Sequence, residues 1–177
     1  VTSVDSLDHR AEDLRTEFDD VFARPAGVVV AATVDLLALR VAGDRYALRT
    51  AELAGLLRST KVVPLASGRP ELVGLAGVRG ALMTVYSLAT LLGYAARSDG
   101  VRWLAVCAGP NPVALAFDEL DGFQRVPQSS LYAVDRSGAS RPHLSEVVRT
   151  GPATLGLVDT FSILKLVMVS AGRSGEK

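Results

Sequence analysis

A chain of 177 residues, 49% hydrophobic and 21% charged, has a globular composition and suits one domain or two small intertwined halves. Its net charge of zero argues against nucleic acid as the main partner, and its one cysteine, Cys107, excludes an internal disulfide framework and fits a reducing compartment. No uncharged apolar run reaches the ~18 residues of a membrane span, and the acidic start is unlike a signal peptide, so a cytoplasmic protein without membrane insertion is expected.

Residues 1–24 hold seven acids against three arginines, a balance of −4 that leaves +4 for the rest of the chain. Within them Leu7, Ala11, Leu14, Phe18 and Val21 recur at helical spacing, which predicts an acidic amphipathic helix ended by Pro25 and Gly27. Residues 1–27 are therefore read as helix and linker, 28–170 as the main domain and 171–177 as a tail. An isolated helix of this length is marginal in water, so the stripe needs cover, either from the body of its own chain or from a partner. In the first case the pair Leu14→Ala and Phe18→Ala lowers the melting temperature. In the second, melting is unchanged and partner binding is lost. Deletion of residues 1–27 without effect on melting, solubility or binding would refute both.

Further along, 34–50 reads as strand, Gly43-Asp44 turn and strand, 51–59 as a short helical or bulged segment, and 60–65 as a strand ended by proline. Residues 74–93, "GLAGVRGALMTVYSLATLLG", open on three glycines. A dinucleotide loop needs G-x-G-x-x-G and a phosphate loop needs Gly-Lys-Ser/Thr; here the glycines fall at G-x-x-G-x-x-G and Ala81 follows Gly80. A hairpin fits better, with Arg79-Gly80 at its centre and glycine taking the positive φ. Short apolar segments at 101–109, 112–120 and 122–127 follow as strands, then a long loop at 128–142. Residues 154–169 begin as a strand and end with a helical period. Many short strands predict small barrels or a sandwich, and no internal repeat is visible.

Catalytic constellations are missing. His9 and His143 are isolated from each other and from Cys107, which lies in an apolar strand pattern and reads as buried structure. Asp118 and Glu119 are adjacent, so in a strand they point to opposite faces, and Asp159 reads as a turn or helix cap. No enzymatic role, cofactor or metal is expected.

The order of the pieces resembles the CheW-like adaptors of bacterial chemosensory arrays. "LLALRVAGDRYALRTAEL" is similar to that family's opening strands. The stretch 74–93 is similar to its Gly-x-x-Asn-Leu-Arg-Gly-x-x-x-Pro-Val-x-Asp-Leu segment, with Gly74, Arg79, Gly80 and Leu88 matching. "VALAFDELDGFQRVP" and "LGLVDTFSILKLV" resemble the later segments, with Asp118 and Asp159 matching. Gly77, Thr84 and Ser87 depart from the family's asparagine, proline and aspartate.

The resemblance implies a mainly β fold of two intertwined five-stranded SH3-like barrels with an apolar seam, here with an added N-terminal helix. It implies a non-catalytic adaptor in the cytoplasm, at receptor arrays, that couples the signalling tips of methyl-accepting chemoreceptors to the regulatory domain of a CheA-type histidine kinase. The departures leave open a divergent form that keeps only one partner, the kinase contact being weakened. Candidate interface residues are Leu53, Leu56 and Leu57, which are groove-lining or ordinary core leucines, and Leu75, Val78, Arg79, Gly80 and Val85 of the hairpin. A small-barrel binder of nucleic acid or small molecules is the remaining alternative; ten aromatics and no basic excess count against it.

Overall fold

The computed structural model describes residues 32–58, 60–96, 101–111, 113–134, 141–151 and 153–172. The predicted N-terminal helix, with Leu7, Leu14, Phe18 and Val21, lies outside them. The described residues form a mainly β architecture of two six-stranded sheets. One contains β1 (Thr33–Val41), β2 (Asp44–Arg49), β9 (Glu119–Pro127), β10 (Leu131–Ala133), β11 (Leu144–Thr150) and β12 (Ala153–Val158), in the order β10-β11-β12-β2-β1-β9. The other contains β3 (Leu53–Arg58), β4 (Val62–Pro64), β5 (Leu72–Val78), β6 (Ala81–Ser87), β7 (Trp103–Cys107) and β8 (Val113–Phe117), in the order β4-β5-β6-β8-β7-β3. Two helices follow strands: α1 (Leu88–Leu91) after β6 and α2 (Thr160–Gly172) after β12.

The strand orders match when six is added to each strand number of the first half. β1 to β6 therefore repeat as β7 to β12, and each half lends its first two strands to the other half's sheet. The parallel pairs, β2 with β12 and β8 with β6, correspond. So do the register shifts, Leu72/Gly74 with Leu144/Glu146 and Leu53/Gly55 with the one where Asp121 stands out of register between Leu120 and Gly122. The halves are intertwined, and the repeat that the sequence conceals is plain in the pairing.

Alternation along the strands builds three cores. On β1, Leu36 and Ala38 face the interior of the first sheet with Ala47, Val126, Val148, Leu155 and Leu157. Leu37, Leu39 and Val41 face the other way, into the largest cluster, with Tyr46, Leu48, Tyr86, Leu115, Phe117, Ile163 and Val167. A third cluster, Ala76, Met83, Val85, Leu104, Ala114 and Ala116, fills the interior of the second sheet. The two inner clusters hold five alanines among their thirteen buried residues and no aromatic side chain. The larger side chains meet where the two sheets share one core. β1 is buried on both faces and so reads as a nearly continuous apolar run.

A polar clamp joins β2 to the chain leaving α1. The Tyr94 hydroxyl donates to Asp44 Oδ2 and shares a 2.7 Å hydrogen bond with the Tyr46 hydroxyl, and the Arg141 guanidinium lies 3.7 Å from the centre of the Tyr94 ring. Burial and the Asp44 carboxylate hold the Tyr94 hydroxyl protonated well above the usual phenol range.

The turn between β1 and β2 is Ala42-Gly43, one residue earlier than expected, with φ of 52° and 92°. Its left-handed alanine is held by a 2.7 Å hydrogen bond from its N–H to Asp118 Oδ2. The expected loop at 128–142 contains a 3₁₀ turn, Gln128–Ser130, and β10. Each sheet has six strands against the five per barrel expected; β4 and β10 are three residues long.

Asp159 caps α2, its Oδ1 accepting from the Ser162 N–H at 3.0 Å. Ser87 caps α1 at the equivalent place, its Oγ accepting from the Thr90 N–H at 3.2 Å. Ser87, one of the departures from the resemblance, thus makes the same kind of capping bond as Asp159. His143 packs on the start of α2 with Nδ1 2.5 Å from Ser162 Oγ, and its backbone oxygen accepts from the Asp159 N–H. Burial lowers the His143 pKa, opposed by the nearby Asp159 carboxylate. Because the folded value lies below the unfolded one of about 6.5, the unfolded chain binds more protons as pH falls below that value, and stability declines with it. His143→Asn, a residue that tolerates the φ of 58° found here, is expected to flatten this decline. Urea midpoints at pH 7.5 and 5.5 check it; equal declines in both proteins would exclude His143 as the cause.

Candidate docking surface

The hairpin of β5 and β6 is built as expected, with Val78 opposite Ala81 and Arg79-Gly80 as a two-residue turn. Both turn residues are left-handed, Arg79 at φ 49° and Gly80 at 83°, which matches the twist of the strands. An arginine there costs of order 1 kcal/mol over glycine.

Other candidates divide by burial. Arg79 and Gly80 are exposed. Leu75 and Val78 are half-buried, as are Leu53 and Leu56 against the large shared cluster and Leu57 against the second sheet's interior. Val85 is fully buried, so it supports the hairpin from beneath and has no surface of its own to offer a partner.

One residue that sequence reasoning missed is the most exposed of the hairpin's large apolar side chains: Leu82, at 70%. Its neighbours Met83 and Val85 point inward, so alternation carries Leu82 and Thr84 outward. Leu75, Leu82, Thr84 and Tyr86 line an open groove of about 400 Å³ together with Asn111, Val113, Val167 and Met168. Asn111 Nδ2 stands 3.7 Å from Met168 Sδ. The groove residues include no carboxylate, imidazole, amine or thiol; their polar side-chain groups are the Thr84 and Tyr86 hydroxyls and the Asn111 amide.

Burial pushes the Cys107 thiol up to about 12, which makes it a poor nucleophile. Among the described residues no three His, Cys, Asp or Glu side chains gather as a metal site, and no helix is long and apolar enough to cross a membrane. Ion pairs cluster on the first sheet. Arg125 grips Asp35 with two hydrogen bonds of 2.6 and 2.9 Å, which holds that carboxyl below its ordinary pKa. Arg40 and Arg45 share Asp121, and Arg49 meets Glu146. Such exposed pairs add little stability. Arg79 on the second sheet and Lys165 on α2 make no ion pair with any described residue.

A search of curated proteins finds no match. Among solved structures, the chain is similar to the scaffolding protein TtCheW from Thermoanaerobacter tengcongensis, with a TM-score of 0.65 at 11% identity over 72% of this chain and 89% of that one. At that identity the likeness speaks for the fold. The CheW-like domain matches residues 35–168, a span that runs from β1 through the hairpin and the groove into α2. A match over most of the sequence leads to one assignment: the chain belongs to the CheW-like family.

Proposed function

We infer that this protein is a non-catalytic adaptor that couples chemoreceptor signalling tips to the regulatory domain of a CheA-type histidine kinase, in the cytoplasm at receptor arrays. The observation that carries the reading is the family match over residues 35–168, on a chain whose open groove is lined mostly by apolar side chains. An adaptor needs rigid sheets that present separate surfaces, and the fold supplies them if each sheet closes into an SH3-like barrel. Chain geometry supports closure. β9 and β10, at opposite ends of one sheet, are separated by residues 128–130 alone, and β3 and β4 by 59–61. Six flat strands would hold those ends about 24 Å apart, whereas the link between them spans at most about 14 Å. With each broken strand counted once, five strands per barrel result.

Gly77 and Thr84 favour a second reading, in which the kinase contact is weakened. Gly77 is exposed on β5 with open space where a side chain would stand, and Thr84 lines the groove. Losing the two hydrogen bonds that an asparagine side chain at position 77 would make, about 1 kcal/mol each, would reduce affinity roughly 30-fold.

Pull-down and titration with the organism's own receptor fragment and CheA-type kinase separate the readings. Capture of both, with kinase affinity about 30-fold below that of a paralogue carrying asparagine, proline and aspartate at these positions, supports an adaptor with a weakened kinase arm. Capture of only one partner supports the divergent form, and capture of neither refutes both. No phosphate is expected on the chain after incubation with kinase and ATP.

A further inference from the structure

A cavity of about 220 Å³ opens at the start of α1, lined by Leu72, Ser87, Thr90, Ala116, Phe117, Asp118 and further apolar residues. It is smaller than the ~300 Å³ at which sites for drug-sized ligands begin, so it suits a small one. The internal repeat gives its residues counterparts in the other half. Gly74 pairs with Val85 as Glu146 pairs with Leu157. The Ser87 N–H donates to the Glu71 backbone oxygen, and the Asp159 N–H to that of His143, each at 2.8 Å. Glu71 therefore corresponds to His143, Ser87 to Asp159 and Thr90 to Ser162. The parallel pairs Thr84–Val113 and Gly156–Tyr46 carry the match to β8 and β2, where Ala116 corresponds to Arg49.

In the second half these positions hold two nitrogen bases. Arg49 meets Glu146 and Glu52. The Ser162 hydroxyl spends its proton on the Asp159 backbone oxygen at 3.2 Å, so it accepts from His143 Nδ1, 2.5 Å away. The first half has neither base: Ala116 stands for the arginine and Glu71 for the histidine. What remains there is a set of acceptors. Thr90 Oγ1 spends its proton on Ser87 Oγ at 3.2 Å, so toward a ligand it can only accept. Asp118 Oδ2 takes the Ala42 N–H, and neither oxygen meets an arginine or lysine among the described residues. By contrast Asp35, Asp44, Asp121 and Glu146 each meet an arginine.

We propose that this cavity binds a small organic cation, an amidinium or ammonium group carried on an apolar body. Thr90 accepts its N–H, Asp118 supplies the counter-charge, and Leu72 and Phe117 pack against the body. An anion fits poorly, because no cationic side chain lines the cavity. The site takes a small molecule and does not depend on the receptor–kinase reading.

The test titrates the full chain, followed by amide NMR shifts, with benzamidine and with benzamide, its neutral isostere. Benzamidine is expected to bind in the millimolar range, at least about tenfold more tightly than benzamide. The shifts should centre on Ser87, Thr90, Ala116 and Asp118. Asp118→Asn, which can still accept from the Ala42 N–H, should remove the preference for the cation, and Thr90→Val should weaken its binding. Circular dichroism melting of each variant confirms that the fold is intact. Equal binding of the two compounds, no binding of benzamidine, or shifts centred away from these residues in the parent chain overturns the proposal. So does a preference that survives Asp118→Asn. Tighter binding of a blocked arginine tripeptide than of benzamidine also overturns it, because that assigns the cavity to a protein side chain.

Discussion

Gly74→Ala is expected to cost about 3–5 kcal/mol and to lower the melting temperature by roughly 10 °C, while Gly77→Ala, three residues along the same strand, changes it by a degree or two at most. A methyl group built on Gly74 would stand 2.1 Å from the Val63 backbone oxygen and 2.8 Å from its carbonyl carbon. Both belong to β4, which pairs with β5 through Val63–Leu75 and Pro64–Gly74. No flexible side chain can yield there, so the backbone of an edge strand must move away. At Gly77 nothing lies within 4 Å. Thermal melts of the two variants beside the parent check the contrast; equal effects would show that the pairing of β4 contributes nothing.

Leu115→Ala should destabilise by about 2–5 kcal/mol, a fall of roughly 6–15 °C. Leu115 is fully buried on β8, opposite Tyr86 of β6 and Ala105 of β7, and it belongs to the cluster shared by both sheets. Because that cluster draws on β1, β2 and β12 of one sheet and β6, β7 and β8 of the other, loss of packing there loosens both sheets together. Unfolding should remain a single transition. Its neighbour Ala114 points into the second sheet's inner cluster, where the expected fault is opposite in kind: Ala114→Leu overpacks a narrow interior at about 1–3 kcal/mol. Two separated transitions in the Leu115→Ala protein would show that the sheets fold independently and that the shared core is not what joins them.

The sequence by itself determined the local events. Arg79-Gly80 had to be a turn, because glycine readily takes a positive φ between two apolar runs and the spacing matched no phosphate loop. Asp159 had to cap, because a short carboxylate stands just before a helical period. Cys107 had to be buried, because every neighbour in its strand is apolar. The order of four motifs was enough to mark the family.

Tertiary structure decided what local signals could not carry. β11 was invisible because only Val148 is fully buried on it, so "LSEVVRT" shows no apolar alternation; its strand form comes from pairing with β12 and β10. The Ala42-Gly43 turn was misplaced by one residue because alanine seldom takes a positive φ, and the Asp118 carboxylate that holds it is 76 residues away in the chain. The interface residues were least legible of all. Val85 and Leu82 are both apolar residues of one strand, and only the pairing of β6 between β5 and β8 decides that one is sealed in the core and the other stands open beside α2. A strand with two apolar faces does not state which of them is covered, because burial belongs to the neighbours and the neighbours come from both ends of the chain.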